Sequence, residues 1–407
     1  MINYIKNQIE QIKETPGLSL FGAFLTVSHF YAIALWNKNS FFVSKLSSTN
    51  SEPICFPFFP NCDTFFNLSE NSLQIFLYFY LSLTIAGLFC FLQKKLISFA
   101  YLIFFVLFIF KIGIHLSNYN FMGNYHYMAN FVYLAFLFLP KKKLVIKYLI
   151  VAFYFAAGTL KINIEWLSGA AMISPPVIMG DFLVSSLFYV VLLELVFVFG
   201  LLSSSRIFRW FTLAQFIGFH IFSWHIVGFF YPMMMFSMLS IFLIDEFLYF
   251  KKTLVPKNHL PLFFSFKERP IIYVVLSIFV FMQIFPFLFT KDPSLSGSLR
   301  LSSLNMFDAK THCKIMMVAH RKGQTIHLSS SRKKRGVRIK CDPIVYLNQV
   351  NQWCRKNKHS KEFDRLSFSI VSRRSTELDY KPVLFFNDAC SQKNLLWSEY
   401  FSWGDFQ

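Results

Sequence analysis

The stretch Tyr154–Trp166, YFAAGTLKINIEW, sets an amine, Lys161, near the end of an apolar run and follows it with Glu165 and Trp166. An ammonium in hydrocarbon is costly, so such a side chain must reach water, pair with an anion or lose its proton. Two readings stay open on this residue alone. In one, Lys161 snorkels to an interface marked by Trp166. In the other, partial burial leaves a neutral amine that can take a proton. Glu165 shares a side with Lys161 if the helix continues, and would then hold the amine charged. Imidazoles extend the set: His115, His126 in GNYHYMAN, and His220 and His225 in GFHIFSWHIVG. Glu194, in LLELVFVFG, puts a carboxylate inside another apolar run, where it can partner one histidine. Intramembrane ionisable groups are functional candidates by default. Histidines four or five residues apart do not make a metal site by themselves. The chain has no HExxH, no CxxC pair and no phosphate-cradling glycine loop, so we expect no metal.

The elements that position these groups are apolar helices. The 407 residues are 55% hydrophobic and 15% charged, with 55 phenylalanines. A soluble domain carries about 25% charged residues. Nine apolar segments stand out, near 18–36, 73–92, 97–116, 125–140, 145–164, 182–201, 210–227, 229–249 and 271–289. A helix needs roughly 20 residues to cross the hydrocarbon, and several of these reach that length. The seventh and eighth form one apolar stretch divided by a turn expected near Gly228, without which the count is eight.

Lysines and arginines test the count. Lys6 and Lys13, Lys94 and Lys95, Lys141 to Lys147, Arg206 and Arg209, and Lys251 to Lys257 all fall on one side if nine helices cross. That is the positive-inside bias, and it puts the N-terminus in the cytoplasm and the tail outside. The polar N-terminus, MINYIKNQIEQIKETPG, has no signal-peptide core, so insertion is expected to begin with the first helix. From Lys291 the chain carries 21 Lys and Arg against 10 Asp and Glu, a basic excess that long translocated segments tolerate.

The expected fold is therefore mainly α: a polytopic membrane bundle over 1–290 with a small extracytoplasmic α+β domain over 291–407. In the tail, TIHLSSS, GVRIKC, RLSFSIVS and KPVLFF read as strands, and DPIVYLNQVNQWCRKN as an amphipathic helix. Cys55 and Cys62, in PICFPFFPNC, are close enough to pair in an oxidising compartment. The basic run SRKKRGVRIK (331–340) reads as a solvated face or as a dock for anionic lipid or acidic peptide; outside the cytoplasm it predicts no nucleic-acid partner. Paired broken helices of a transporter are not found; ISPPVIMGD (173–181) is a single interruption.

YFAAGTLKINIEW, followed by LSGAAM, resembles the corresponding stretch of the vitamin K-dependent γ-carboxylases and their bacterial relatives, the horizontally transferred transmembrane domain family. NYHYM, with Asn124 and His126, is similar to the family's Asn-His segment, and FHIFSWHIVGFFYPMMM to its later Phe-His segment. MMVAHRKGQTIHL and FSIVSRRSTELDYKPVLFFND are similar to the start of the carboxylase's lumenal domain. The resemblance runs from about 110 to 390.

It implies Lys161 as general base, His220 and His126 as active-site histidines that orient substrate or stabilise oxyanions, and Glu194 as the family's acidic residue. It also implies a reduced vitamin K or similar hydroquinone, with O2 and CO2 as co-substrates. Quinol epoxidation would drive carboxylation of a glutamate in a peptide or protein. Family carboxylases continue into a large propeptide-binding domain, whereas this chain stops at Gln407, so tight docking of a protein substrate is not expected. The alternative is a catalytically silent member that binds a quinone or lipid, or assembles with other membrane proteins. A bacterial inner membrane is the preferred setting.

Overall fold

The computed structural model describes residues 2–38, 41–46, 54–56, 59, 62, 68–121, 123–172, 181–250, 270–288, 292–296, 303–304, 311–328, 341–357 and 362–392. The basic run 331–340 and nearly all of 173–181 lie outside the described residues.

Helices dominate. In chain order they are α1 (Ile2–Glu14), α2 (Leu18–Asn37), α3 (Phe41–Leu46), α4 (Glu70–Leu92), α5 (Ile97–Ser117), α6 (Asn124–Phe138), α7 (Lys142–Leu160), α8 (Ile164–Leu167), α9 (Asp181–Leu195), α10 (Arg206–Val227), α11 (Phe230–Phe250), α12 (Pro270–Ile284), α13 (Pro293–Ser296) and α14 (Pro343–Asn357). Each of the nine apolar segments coincides with a helix. Seven spans are long and apolar enough to cross a membrane: α2, α4, α5, α7, α9 with its 3-10 extension, α11, and α12 with its own extension. The chain is thus a multi-pass membrane protein by length and composition. Of the other two long segments, α6 has 15 residues and α10 opens on Arg206 and Arg209.

Local chemistry sets the breaks. The Ser69 side chain accepts from the Ser72 amide at the start of α4, and Ser205 does the same for Phe208 in α10. Gly228, with φ 80°, adopts a backbone that a side chain would strain, and it splits α10 from α11. The turn expected near Gly228 is therefore present.

The helical core is aromatic, with Trp36, Tyr80, Phe104, Tyr133, Phe136 and Tyr154 fully buried. One end of the bundle is tied by charge. Asp245 pairs with Lys143 and Lys147, and Glu246 with Arg206 and Arg209, joining α7, α10 and α11. The other end carries the tail. There the Cys55 amide donates to Asn348 Oδ1 at 3.2 Å, and the Tyr119 hydroxyl donates to Asp342 at 2.5 Å.

The tail is a four-stranded antiparallel sheet of order β2-β1-β3-β4, with β1 Thr311–Arg321, β2 Gln324–His327, β3 Arg365–Arg374 and β4 Lys381–Phe386. Helix α14 packs Ile344, Leu347 and Val350 against Leu366, Phe368 and Ile370. Three of the expected strand stretches and the expected helix are in place, while GVRIK lies outside the described residues. The sequence reading has no strand over β1, the longest and most extensively paired, although His312 and Lys314 are the exposed positions of a period-2 alternation with Cys313 and Ile315.

Cys55 pairs with Cys62, and two disulfides not anticipated from spacing, Cys313–Cys341 and Cys354–Cys390, cross-link the tail. The latter two close loops of 28 and 36 residues. Loops of that size stabilise by about 3–4 kcal/mol each through the unfolded chain. Dithiothreitol is expected to lower the tail's denaturation midpoint while leaving the helical far-ultraviolet signal intact; an unchanged midpoint would refute this.

Candidate functional site: a buried lysine–glutamate pair

Helix α7 stops at Leu160, and Lys161 is its C-cap. Asn163 enforces the stop. Its amide nitrogen donates to the Leu160 carbonyl at 2.7 Å, and its Oδ1 accepts from the Trp166 amide at 2.8 Å as the N-cap of α8. The helix therefore does not continue to Glu165, and the expected shared side with Lys161 is lost. Glu165 is instead a buried acceptor for the tail, bonded to Arg374 Nη1 at 3.2 Å and to the Thr376 hydroxyl. Arg374 also holds Asp292 at 2.7 Å. Burial opposes charge on Arg374, but Asp292 and then Glu165 raise its pKa on balance.

Lys161 does not snorkel. It is 1% exposed, and its Nζ donates to Glu194 Oε2 and, at 3.4 Å, to the Ala157 carbonyl. The ammonium also lies 5.2 Å from the Trp166 ring centroid, within cation–π range. Glu194 thus partners the lysine and not a histidine. It sits in α9, 0% exposed, and its Oε1 has no hydrogen-bond partner among the described residues.

Gly158 makes this contact possible. A Cβ there would lie 3.0 Å from Glu194 Cβ and 2.9 Å from Leu195 Cδ2, so any side chain at this position forces Leu195 and the α7–α9 contact to give. Gly158→Val should push the helices apart and cost about 1–3 kcal/mol. A lowered thermal midpoint in detergent checks it, and wild-type stability would show that α9 yields freely.

His220, on α10, is buried, with Nε2 2.6 Å from the Tyr154 hydroxyl of α7. Tyr154 and Lys161 are seven residues apart, on one face of α7. His220 lies within electrostatic range of Lys161. Its Nδ1 has no hydrogen-bond partner among the described residues. A cavity of about 330 Å³ opens beside Lys161, lined by Trp166, Leu187, Tyr189, Gln215, Phe222 and Tyr231 among others. Its walls are aromatic and aliphatic, with the amine as the one cation among the described lining residues. A larger cavity, about 520 Å³, lies between α7 and α12, but no Lys, His, Asp or Glu lines it among the described residues.

His126 belongs to a second cluster. Its ring centroid lies 4.4 Å from that of His115, and Phe230 packs against it at 5.4 Å. The next residue, Tyr231, packs on His220 at 5.5 Å, so the start of α11 stands between the two histidines. The side chain of Asn124 lies outside the described residues, and His225 is exposed on α10.

The second cluster also contains two groups that the sequence reading passed over, Lys111 and His29, both fully buried. A lysine six residues from the end of a 21-residue apolar helix was the available signal. No group of metal-ligating side chains is found among the described residues.

Comparison of the chain with protein-family models, curated proteins and solved structures finds no match.

Proposed function

We propose that this chain is a hydroquinone-dependent γ-glutamyl carboxylase-like membrane enzyme, coupling quinol epoxidation to carboxylation of glutamate side chains. The observation that carries the reading is the buried Lys161–Glu194 pair, whose lysine lines an apolar cavity, with the bonded His220 and Tyr154 packed behind the wall.

The pair is neutral overall whether written as ammonium and carboxylate or as amine and acid. It therefore sits in low dielectric without the cost of a lone charge. It can accept one further proton, at Lys161 Nζ in the second arrangement or at Glu194 Oε1 in the first. In this reading the pair, and not the amine alone, is the general base. In this reading the cavity takes the ring of a reduced vitamin K or similar hydroquinone, Lys161 meets a phenolic hydroxyl, and the aromatic walls exclude water. Such a group, when bound and oxidised by O2, supplies the strong base that a glutamate γ-hydrogen requires. His220, bonded to Tyr154 and packed behind the lining residues Phe219 and Tyr231, would orient the bound ring or stabilise a developing oxyanion through its unpartnered Nδ1 once those side chains shift. His126 keeps a supporting place beyond α11.

The same reading gives nine crossings, a cytoplasmic N-terminus and an extracytoplasmic tail, in a bacterial inner membrane. It is supported by Lys143, Lys147, Arg206 and Arg209 gathering at one end, as the positive-inside bias asks, and by the disulfides lying toward the other.

One observation favours a second reading, a catalytically silent quinone or lipid binder: Glu194 is well placed to keep Lys161 charged. Purified protein incubated with reduced vitamin K, O2, labelled bicarbonate and a glutamyl peptide separates the two. We expect epoxide and label in the peptide; neither product would leave only the binder.

A further inference from the structure

Lys111 lies inside α5, 0% exposed. Its Nζ donates to the Tyr133 hydroxyl at 3.2 Å and stands 4.6 Å from that ring's centroid. No carboxylate balances it among the described residues. The buried acids there are all engaged elsewhere: Glu165 with Arg374, Glu194 with Lys161, Glu246 with Arg209 and Asp342 with Tyr119.

The neighbours of Lys111 are bases. His115, one turn further along α5, is 2% exposed, and neither of its ring nitrogens has a hydrogen-bond partner among the described residues. His29 stacks on Tyr133 with centroids 5.2 Å apart. Its Nδ1 bonds the Tyr80 hydroxyl, while its Nε2 has no partner among the described residues. Both imidazoles lie within electrostatic range of the amine.

A lone ammonium in such surroundings costs several kcal/mol or more, which favours the uncharged amine. An uncharged primary amine is a nucleophile, unlike Lys161 with its carboxylate. The three orphaned ring nitrogens belong to two imidazoles, each of which can take up one proton and donate from its N–H, a capacity that buried polar groups rarely leave idle. Any reagent reaching this point must be small and soluble in hydrocarbon.

We propose that Lys111 is a second reactive centre, which takes up carbon dioxide as a carbamate with His115 and His29 as proton acceptors. The Nζ lone pair attacks the carbon of CO2, an N–C bond forms, and one C–O π bond opens to an oxyanion. One Nζ proton passes to an imidazole nitrogen, so the product is a carbamate–imidazolium pair of no net charge, with no change of oxidation state. The new oxyanion meets the hydrogen-bonding capacity that the histidines hold unused. Loss of CO2 reverses every step. The inference needs no quinol chemistry and stands apart from the proposed function.

The test uses the full chain in lipid nanodiscs, with 15N-lysine incorporated and 13C-bicarbonate supplied, read by 13C–15N correlation in solid-state NMR. One directly bonded carbon–nitrogen signal in the carbamate region is expected. It should vanish in Lys111→Met, persist in Lys161→Ala, and weaken severalfold in His115→Phe at fixed CO2. No such signal in the wild-type protein would overturn the proposal without reference to any variant's folding. A signal unchanged in Lys111→Met would overturn it too. A carbamate signal with no epoxidation would sink the carboxylase reading alone, and epoxidation with no carbamate signal would sink this one alone.

Discussion

Lys161→Ala is expected to reduce quinol epoxidation by about 10²- to 10⁴-fold, the contribution of a positioned general base. The loss should exceed what one missing amine suggests, because Glu194 acts with Lys161 as a unit. Stripped of its cation, a fully buried carboxylate takes up a proton and can no longer accept one. Glu194→Gln should therefore lose activity as well, since it leaves the amine without its anion. Epoxide formation by the Lys161→Ala membranes is compared with wild type at equal amounts of inserted protein. Epoxidation at the wild-type rate would remove the pair from the chemistry and leave the cavity as a binding pocket.

The second large effect concerns stability and separates folding from catalysis. Glu194→Ala leaves Lys161 beside Ala157 and Trp166 without its counter-charge, so that the amine is buried alone or sheds its proton, and breaking a buried pair costs about 3–5 kcal/mol. Replacing both partners together, Lys161→Met with Glu194→Leu, should return stability to the wild-type level or above, because the desolvation cost goes with the charges. Denaturation in detergent reads both. The double variant should be stable and unable to form epoxide, which assigns the pair to function and not to the fold. A double variant as unstable as Glu194→Ala would mean that packing at the α7–α9 contact, through Gly158, dominates.

Much of the fold was legible because hydrocarbon is an undemanding solvent to read. Each of the nine apolar segments is a helix, and seven spans are long and apolar enough to cross a membrane, where a backbone must satisfy its hydrogen bonds internally. Gly228 and the Lys and Arg clusters mark the breaks. The tail was harder: RLSFSIVS and KPVLFF alternate and were readable, and β1 alternates too, with His312 and Lys314 on its exposed face, but its place inside the sheet comes only from pairing with β2 and β3.

The candidate site divides the same way. Composition and order determined that this chain is a helical membrane protein, that Lys161 stands where an apolar helix ends, and that His126, His220 and Glu194 lie in apolar segments. Which of them meet depended on helix packing. Glu165, four residues from Lys161, is taken by Arg374 from 209 residues away, while Glu194, 33 residues on, takes the amine. His126 joins His115 and lies across α11 from His220. The physical reason is that a buried charge finds its counter-charge through the three-dimensional approach of two helices. That approach is set here by the missing side chain of Gly158, which no spacing along the chain encodes.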